Sequence, residues 1–154
     1  YLMNIFKECH MECIEMPIEG FEAGNIYAVL KGHTNKEPLM FSGHMDTVSP
    51  GKGKQAIIHE DGRITSDETT VLGADDVSAL ASYIEAIRTI EDNDLPHGDI
   101  ELAISVAEEP YDAGSAYYDF SRIKSRIGYK FVAKNPHACV WDESHISLDK
   151  YLEK

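Results

Sequence analysis

The spacing of apolar residues predicts one helix followed by three short strands near the start of the chain. Apolar side chains recur at helical spacing over residues 2–9, and apolar and polar residues then alternate up to residue 16. Two runs rich in β-forming residues follow, at 25–30 and 38–42, with the turn-like sequence Gly32-His33-Thr34-Asn35 between them. This part of the chain is therefore expected to supply a helix and several strands of one sheet.

The pattern continues through a hairpin, a long helix and further strands. Asp61-Gly62 lies between short apolar runs and predicts a hairpin, and the run at 100–107 suits a central strand. A weaker helical pattern covers 119–126, and 129–133 is expected to add a strand. Between the hairpin and the central strand, residues 74–90 predict a helix whose buried face comprises Val77, Leu80, Ala81, Ile84, Ile87 and Ile90. The predicted fold class is α/β, with a mixed central sheet flanked by helices.

Composition narrows the classes of protein to which the chain can belong. Its 154 residues are 43% hydrophobic, which favours one globular domain. A net charge of −13 argues against nucleic acid and anionic membranes as partners. Three cysteines without paired spacing, and no apolar run of about 20 residues, favour a cytoplasmic location. The chain opens inside a periodic apolar segment, so we expect it to be part of a longer protein.

Polar side chains that can bind metal follow the predicted strands or begin the long helix. In open α/β sheets, sites form beyond the carboxyl ends of the strands, so we expect these side chains to converge. Taken singly, each motif has an ordinary explanation: a chance His-x-Asp, a helix cap, or a solvated strand exit. Their joint placement favours a site made of His44, Asp46, Asp75, Asp76, Glu108 and Glu109.

The residue types suit a metal-dependent hydrolase. In extended chain, residues two apart point the same way, so Asp46 can accept a hydrogen bond from one ring nitrogen of His44 while the other nitrogen faces a metal. Glu109 precedes Pro110, which restricts its backbone and would let both glutamates serve one site. A bridging carboxylate can hold two divalent ions about 3.5–4 Å apart, which together activate water and polarise a carbonyl.

Three segments of the chain carry a resemblance to a known family. GHMDTV at 43–48, SDETTVLGADD at 66–76, and PHGDI at 96–100 leading to Glu108-Glu109 closely resemble the peptidase T group of di-zinc exopeptidases. The same superfamily contains aminoacylases, dipeptidases and glutamate carboxypeptidases. The resemblance extends over about residues 2–129 and implies a zinc-exopeptidase-like catalytic domain. It further implies that residues 1–154 are one partial domain, without the lid or dimerisation domain of the family.

The resemblance implies roles for individual residues. His44 would bind the first of two zinc ions, Asp76 would bridge both ions, and Glu109 would bind the second. Asp75 is expected to make no contact with the ions.

Two further residues would act in catalysis. Asp46 would orient His44, and Glu108 would be the general base that takes a proton from the attacking water. The implied function is a zinc-dependent peptide hydrolase of the tripeptidase or aminopeptidase kind, with short peptides as substrates.

The chain also departs from the family pattern. The family places an acidic zinc ligand after Gly-Tyr, whereas residues 130–134 contain no acid, and the last histidine ligand of the family lies far downstream. Each ion would keep two protein ligands, so we expect weak zinc binding and poor hydrolysis. The alternative is a truncated or degenerate non-catalytic relative that acts as a binding or assembly module, with self-association through exposed sheet.

Two other segments of the chain contain residue types that could replace the missing ligands. The tail contains His137, Asp142 and His145, which lack ligand spacing and are expected to be solvated. The first helix-to-strand segment contains Cys9, His10 and Cys13, for which small buried cysteines are the expected explanation.

Overall fold

The computed structural model describes residues 1–110, 113–135 and 138–147, with side chains for residues 1–110 and 113–130. Two single-turn 3₁₀ helices, Ser115–Tyr117 and Phe120–Arg122, lie between the sixth and seventh strands. The other elements are α1 (Leu2–Glu8), β1 (Glu12–Met16), β2 (Asn25–Leu30), β3 (Leu39–His44), β4 (Ala56–Ile58), β5 (Ile64–Ser66), α2 (Ala74–Asp92), β6 (Ile100–Ser105), β7 (Ile127–Asn135) and β8 (Ala138–Ser147).

Six of the strands form one mixed sheet in the order β1-β2-β6-β3-β7-β8. The three inner neighbours β6, β3 and β7 are parallel, and the pairs nearer the edges are antiparallel. Strands β4 and β5 form the separate hairpin that Asp61-Gly62 predicts. The mixed α/β fold class is therefore confirmed. Because β3 and β6 are parallel, the residues that follow them leave the sheet at the same edge.

One face of the sheet packs against both helices. The side chains of strand β2 point alternately to the two faces of the sheet. Ile26, Ala28 and Leu30 lie in the same buried cluster as residues of α1 and α2, while Tyr27 and Val29 lie in a second cluster on the opposite face. Both faces of β2 are buried, which explains its continuous apolar sequence. The main core therefore lies between β2, β6 and the two helices.

The buried face of α2 differs in phase from the prediction. Leu80 and Ile87 are buried as expected, but Val77 and Ala81 are exposed. Asp76 and Tyr83 are buried instead, and their oxygen atoms bond to the main chain of β3 at His44 and Ser42. These polar contacts to the strand rotate the helix away from the orientation that apolar spacing alone predicts.

The segment that follows β6 packs on the face of the sheet opposite the two helices, where Tyr118 and Ile123 join Tyr27 and Val29 in a second buried cluster. The prediction of a helix over 119–126 is wrong, because only a single 3₁₀ turn forms there. Asp119 accepts a hydrogen bond from the amide of Ser121, which closes one short turn. The next amides, of Lys124 and Ser125, donate to the Glu101 carboxylate rather than to carbonyls one helical turn back. These hydrogen bonds to Glu101 replace the main-chain hydrogen bonds that a helix over 119–126 would need.

Glu101 is a fully buried carboxylate in the middle of the sheet. Its Oε1 accepts from the Tyr27 hydroxyl at 2.5 Å, and its Oε2 accepts from the Ser125 amide at 2.8 Å and from the Ser125 hydroxyl. Burial, with this hydrogen bond to Glu101, raises the pKa of Tyr27. The carboxylate therefore ties β2, β6 and the segment before β7 together.

The residues considered as substitute metal ligands lie away from the candidate site or outside the described side chains. Cys9 is buried and Cys13 half-buried, both as free thiols, and His10 pairs with Glu91 at 2.8 Å. His137 lies outside the described residues. Asp142 and His145 fall on β8, a strand that was not predicted, and their side chains are outside the description.

The hairpin β4–β5 exposes three isoleucines, Ile57, Ile58 and Ile64. The expected self-association, through exposed sheet or the surface that a missing domain would cover, stays a prediction. Within the described part of the chain, no helix combines the length and apolar character needed to span a bilayer.

Candidate metal centre

The candidate site lies where β3 and β6 end and α2 begins. His44 is the last residue of β3 and pairs with Ser105, the last residue of β6. The Asp75-Asp76 pair opens α2, whose first residues reach the same edge of the sheet. The three sequence motifs therefore meet at one place, as predicted from the position of each at the end of an element.

The ring of His44 is almost fully buried, and its two nitrogens have different surroundings. Nδ1 lies 3.0 Å from the main-chain oxygen of Asp46 and 3.4 Å from its carboxylate. Because a carbonyl oxygen can only accept, Nδ1 donates its proton there. Nε2 faces Asp75 Oδ1 at 3.2 Å and Glu108 Oε2 at 3.8 Å. Two carboxylate oxygens therefore face Nε2, and either a proton on this nitrogen or a metal ion bound to it can satisfy them.

Asp46 organises the site more extensively than its sequence position predicts. Its two carboxylate oxygens accept the main-chain amides of Glu108 and Glu109, each at 3.0 Å. The chain is turned for this by Ala107, whose φ of 53° lies in the left-handed region. The prediction assigned the divergence of the two glutamates to Pro110, whereas the structure places it at Ala107, just before the pair.

Asp75 and Asp76 have opposite environments. Asp76 is 2% exposed, and its Oδ2 accepts the main-chain amide of His44 at 3.1 Å. Burial raises the pKa of Asp76 to about 6. A Cβ on Gly43 would lie 2.7 Å from this Oδ2, so the glycine lets α2 approach β3 this closely.

Asp75, for which no contact was expected, faces the ring of His44 instead. Its ψ of 109° is extended rather than helical, so its carboxylate points towards the strand ends and not along the helix. Asp75 therefore lies at the site and contacts the His44 ring, whereas the expectation concerned its contact with the ions.

Asn25 is a buried residue at the site that the sequence analysis missed. Its Oδ1 accepts the amide of Val106, and its Nδ2 donates to the carbonyl of Gly114. These bonds fix the chain on both sides of Glu108 and Glu109. Asn25 opens a strand 81 residues before Val106, so no local pattern could indicate this role.

Lys130 lies close to the position where the family pattern has an acid. It follows Tyr129 on β7 and pairs with Ser42 of β3. Its Nζ is 3.2 Å from Glu108 Oε1, and both side chains are partly exposed. A cation from the protein therefore contacts one of the predicted catalytic carboxylates.

The donor set fits a divalent cation such as zinc. Ligand atoms of His44, Glu108 and Glu109 all lie within 4.8 Å of one another, and Asp75 faces the same histidine nitrogen. Imidazole nitrogen and carboxylate oxygen are ordinary zinc ligands. The second ring nitrogen of His44 is oriented by Asp46, as is usual for metal-binding histidines.

Solved structures of similar fold include those of two peptidases. The aminopeptidase PepT of Bacillus cereus is 38% identical, with a TM-score of 0.82 over 87% of this chain and 37% of that chain. A tripeptidase of Staphylococcus aureus is 30% identical, with a TM-score of 0.83 over the same shares. The fold described above is therefore that of part of these enzymes.

Sequence relatives give the same result, and a family model matches most of the strands and the whole of the site. YqjE of Bacillus subtilis is 41% identical over 114 residues, which are 74% of this chain and 30% of that protein. Peptidase T of Clostridium perfringens is 28% identical over 70% of this chain and 34% of its own length. The chain thus spans about a third of these relatives. The model of Peptidase family M28 matches residues 25–132, from Asn25 past Lys130, and the chain belongs to that family.

Proposed function

We propose that this chain is the catalytic portion of a zinc-dependent peptide hydrolase that removes amino acids from short peptides. The observation that carries the proposal is the convergence of His44, Glu108 and Glu109 at the ends of two parallel strands. The similarity to an aminopeptidase and a tripeptidase supports a tripeptidase or aminopeptidase reaction. The absence of a separate lid or dimerisation domain from residues 1–154 is part of the same proposal.

The proposed zinc ligands are His44, Glu109 and one carboxylate from the start of α2. The resemblance assigns that last role to Asp76. The contacts favour Asp75, because its Oδ1 faces His44 Nε2 whereas Asp76 Oδ2 is engaged by the main chain. Asp76 then serves to hold α2 against the end of β3.

Zinc, when bound, would supply a Lewis acid that polarises the peptide carbonyl and lowers the pKa of water. The residues of the chain supply the rest. Glu108 takes a proton from the attacking water and returns it to the leaving amine. The Asp46 carboxylate accepts the amide of Glu108, and the Asp46 main-chain oxygen accepts from His44 Nδ1, so one residue positions both the base and a ligand.

A second candidate is a non-catalytic relative that acts as a binding or assembly module. The observation that favours it is the contact of Lys130 with Glu108, beside a segment without an acidic ligand. Under this proposal zinc binding is weak and tripeptide hydrolysis is absent. Because weak zinc binding is expected of this chain under both candidates, tripeptide hydrolysis at saturating zinc separates them.

A matched pair of substitutions tests the zinc site. Asp75→Asn is expected to weaken zinc binding by at least about tenfold, because it removes a charged oxygen that faces His44 Nε2. Asp76→Asn is expected to change zinc affinity little, because its amide oxygen can still accept the His44 amide. Zinc affinity is measured for both variants and the wild-type chain by calorimetry.

The remaining outcomes of this titration are also informative. A larger loss in Asp76→Asn would return the bridging role to Asp76. Equal zinc binding by all three proteins would contradict the proposed site, whatever the hydrolytic activity of the chain.

A further inference from the structure

The parallel pairing of β3 and β7 brings a lysine to the candidate metal centre. Lys130 pairs with Ser42, two residues before His44 on β3. From there its ammonium reaches Glu108, at 3.2 Å from Oε1. The other oxygen of this carboxylate, Oε2, lies 3.8 Å from His44 Nε2. Glu108 thus stands between the lysine and the nitrogen that we propose binds zinc.

The charges around His44 make this contact more than an ordinary ion pair. Carboxylates that the fold brings close together repel one another, which destabilises the folded state unless a nearby cation balances their charge. The site gathers the carboxylates of Asp46, Asp75, Asp76, Glu108 and Glu109. Two of them, Asp76 and Glu108, are close enough to Lys130 for its positive charge to act on them. Lys130 therefore supplies a cation from the chain itself to this group of carboxylates.

We propose that the Lys130 ammonium is a built-in cation that balances the carboxylates of the site and, from its place beside Glu108, competes electrostatically with a divalent ion held by His44 and Glu109. This inference rests on the proposed zinc site. A divalent ion that binds beside His44 must either displace the ammonium from Glu108 or accept its repulsion at short range. Lys130 consequently lowers the affinity for zinc and stabilises the chain without it. An isolated ion pair on the surface would do neither to a measurable extent.

Neutralising Lys130 tests this competition by two measurements on the full chain. Lys130→Met is expected to raise zinc affinity by about tenfold or more in calorimetry, because it removes a positive charge that repels the ion at short range. The same substitution is expected to lower the melting temperature of the metal-free chain and to enlarge the increase caused by zinc. Lys130→Gln, which removes the charge but keeps a polar end, is expected to behave in the same way.

Two control variants separate charge from packing. Lys130→Arg retains the charge and is expected to keep the zinc affinity of the wild-type chain. Lys31→Met removes a comparable ion pair, that of Lys31 with Asp99 at 3.1 Å, which lies before β6 at the opposite end of the sheet. It is expected to leave zinc affinity unchanged.

Every other result overturns the inference. Equal zinc affinity in the wild type and Lys130→Met would reduce the contact to an ordinary ion pair, while the zinc site would stand. Weaker binding by Lys130→Met would mean that the lysine positions Glu108 for the metal rather than competing with it. If Lys130→Met and Lys130→Gln bind no zinc at millimolar concentration, the inference and the proposed zinc site both fail.

Discussion

Glu108→Gln is expected to lower the rate of tripeptide hydrolysis by about 10²–10⁴-fold, the contribution of a positioned general base. Glutamine has nearly the same shape and leaves the amide of residue 108 free to donate to Asp46. It cannot take a proton from water at neutral pH. The measurement is the release of amino acid from a tripeptide at saturating zinc, with enough protein to detect the weak activity expected of this chain.

The control for this prediction is the neighbouring glutamate. Glu109→Gln is expected to lower zinc affinity, because Glu109 is the proposed ligand, whereas Glu108→Gln is expected to leave that affinity within a few-fold of wild type. Unchanged hydrolysis by Glu108→Gln would remove Glu108 from the role of base. A large loss of zinc affinity in the same variant would make Glu108 a ligand, consistent with its place within 4.8 Å of the other donors.

Glu101→Ala is expected to lower the free energy of unfolding by about 3–5 kcal/mol, the usual cost of removing one partner from a buried charged network. The Tyr27 hydroxyl, the Ser125 amide and the Ser125 hydroxyl would all lose their acceptor in a site that water does not reach. Chemical denaturation of the wild-type and variant chains measures the difference.

Two variants show whether this loss comes from the network. Glu101→Gln keeps one acceptor oxygen and is expected to destabilise the chain less than Glu101→Ala does. Glu85→Ala, at an exposed position on α2, is expected to change stability by less than about 0.5 kcal/mol. If Glu101→Ala were as mild as Glu85→Ala, the carboxylate would not be a structural link between the sheet and the segment before β7.

Local pattern was sufficient to predict most elements and to predict that His44, the Asp75-Asp76 pair and the two glutamates would come together. Alternation predicted β1, and the composition of 25–30 predicted β2 with its observed bounds. Where polar contacts compete with apolar spacing, the pattern was misleading. Val77 is exposed because the neighbouring Asp76 is bound to the end of β3, and 119–126 is not a helix because Glu101 accepts its amides.

The sequence by itself determined that histidine and carboxylates stand at the ends of two strands and at the start of a helix, because side-chain periodicity identifies each element and its limits. The tertiary structure decided which atoms meet. Asp46 accepts amides from residues 62 and 63 positions later, Asp75 rather than Asp76 faces His44, and Lys130 reaches Glu108. These contacts depend on the order of the parallel strands and on single backbone dihedral angles, neither of which is encoded in the spacing of nearby residues.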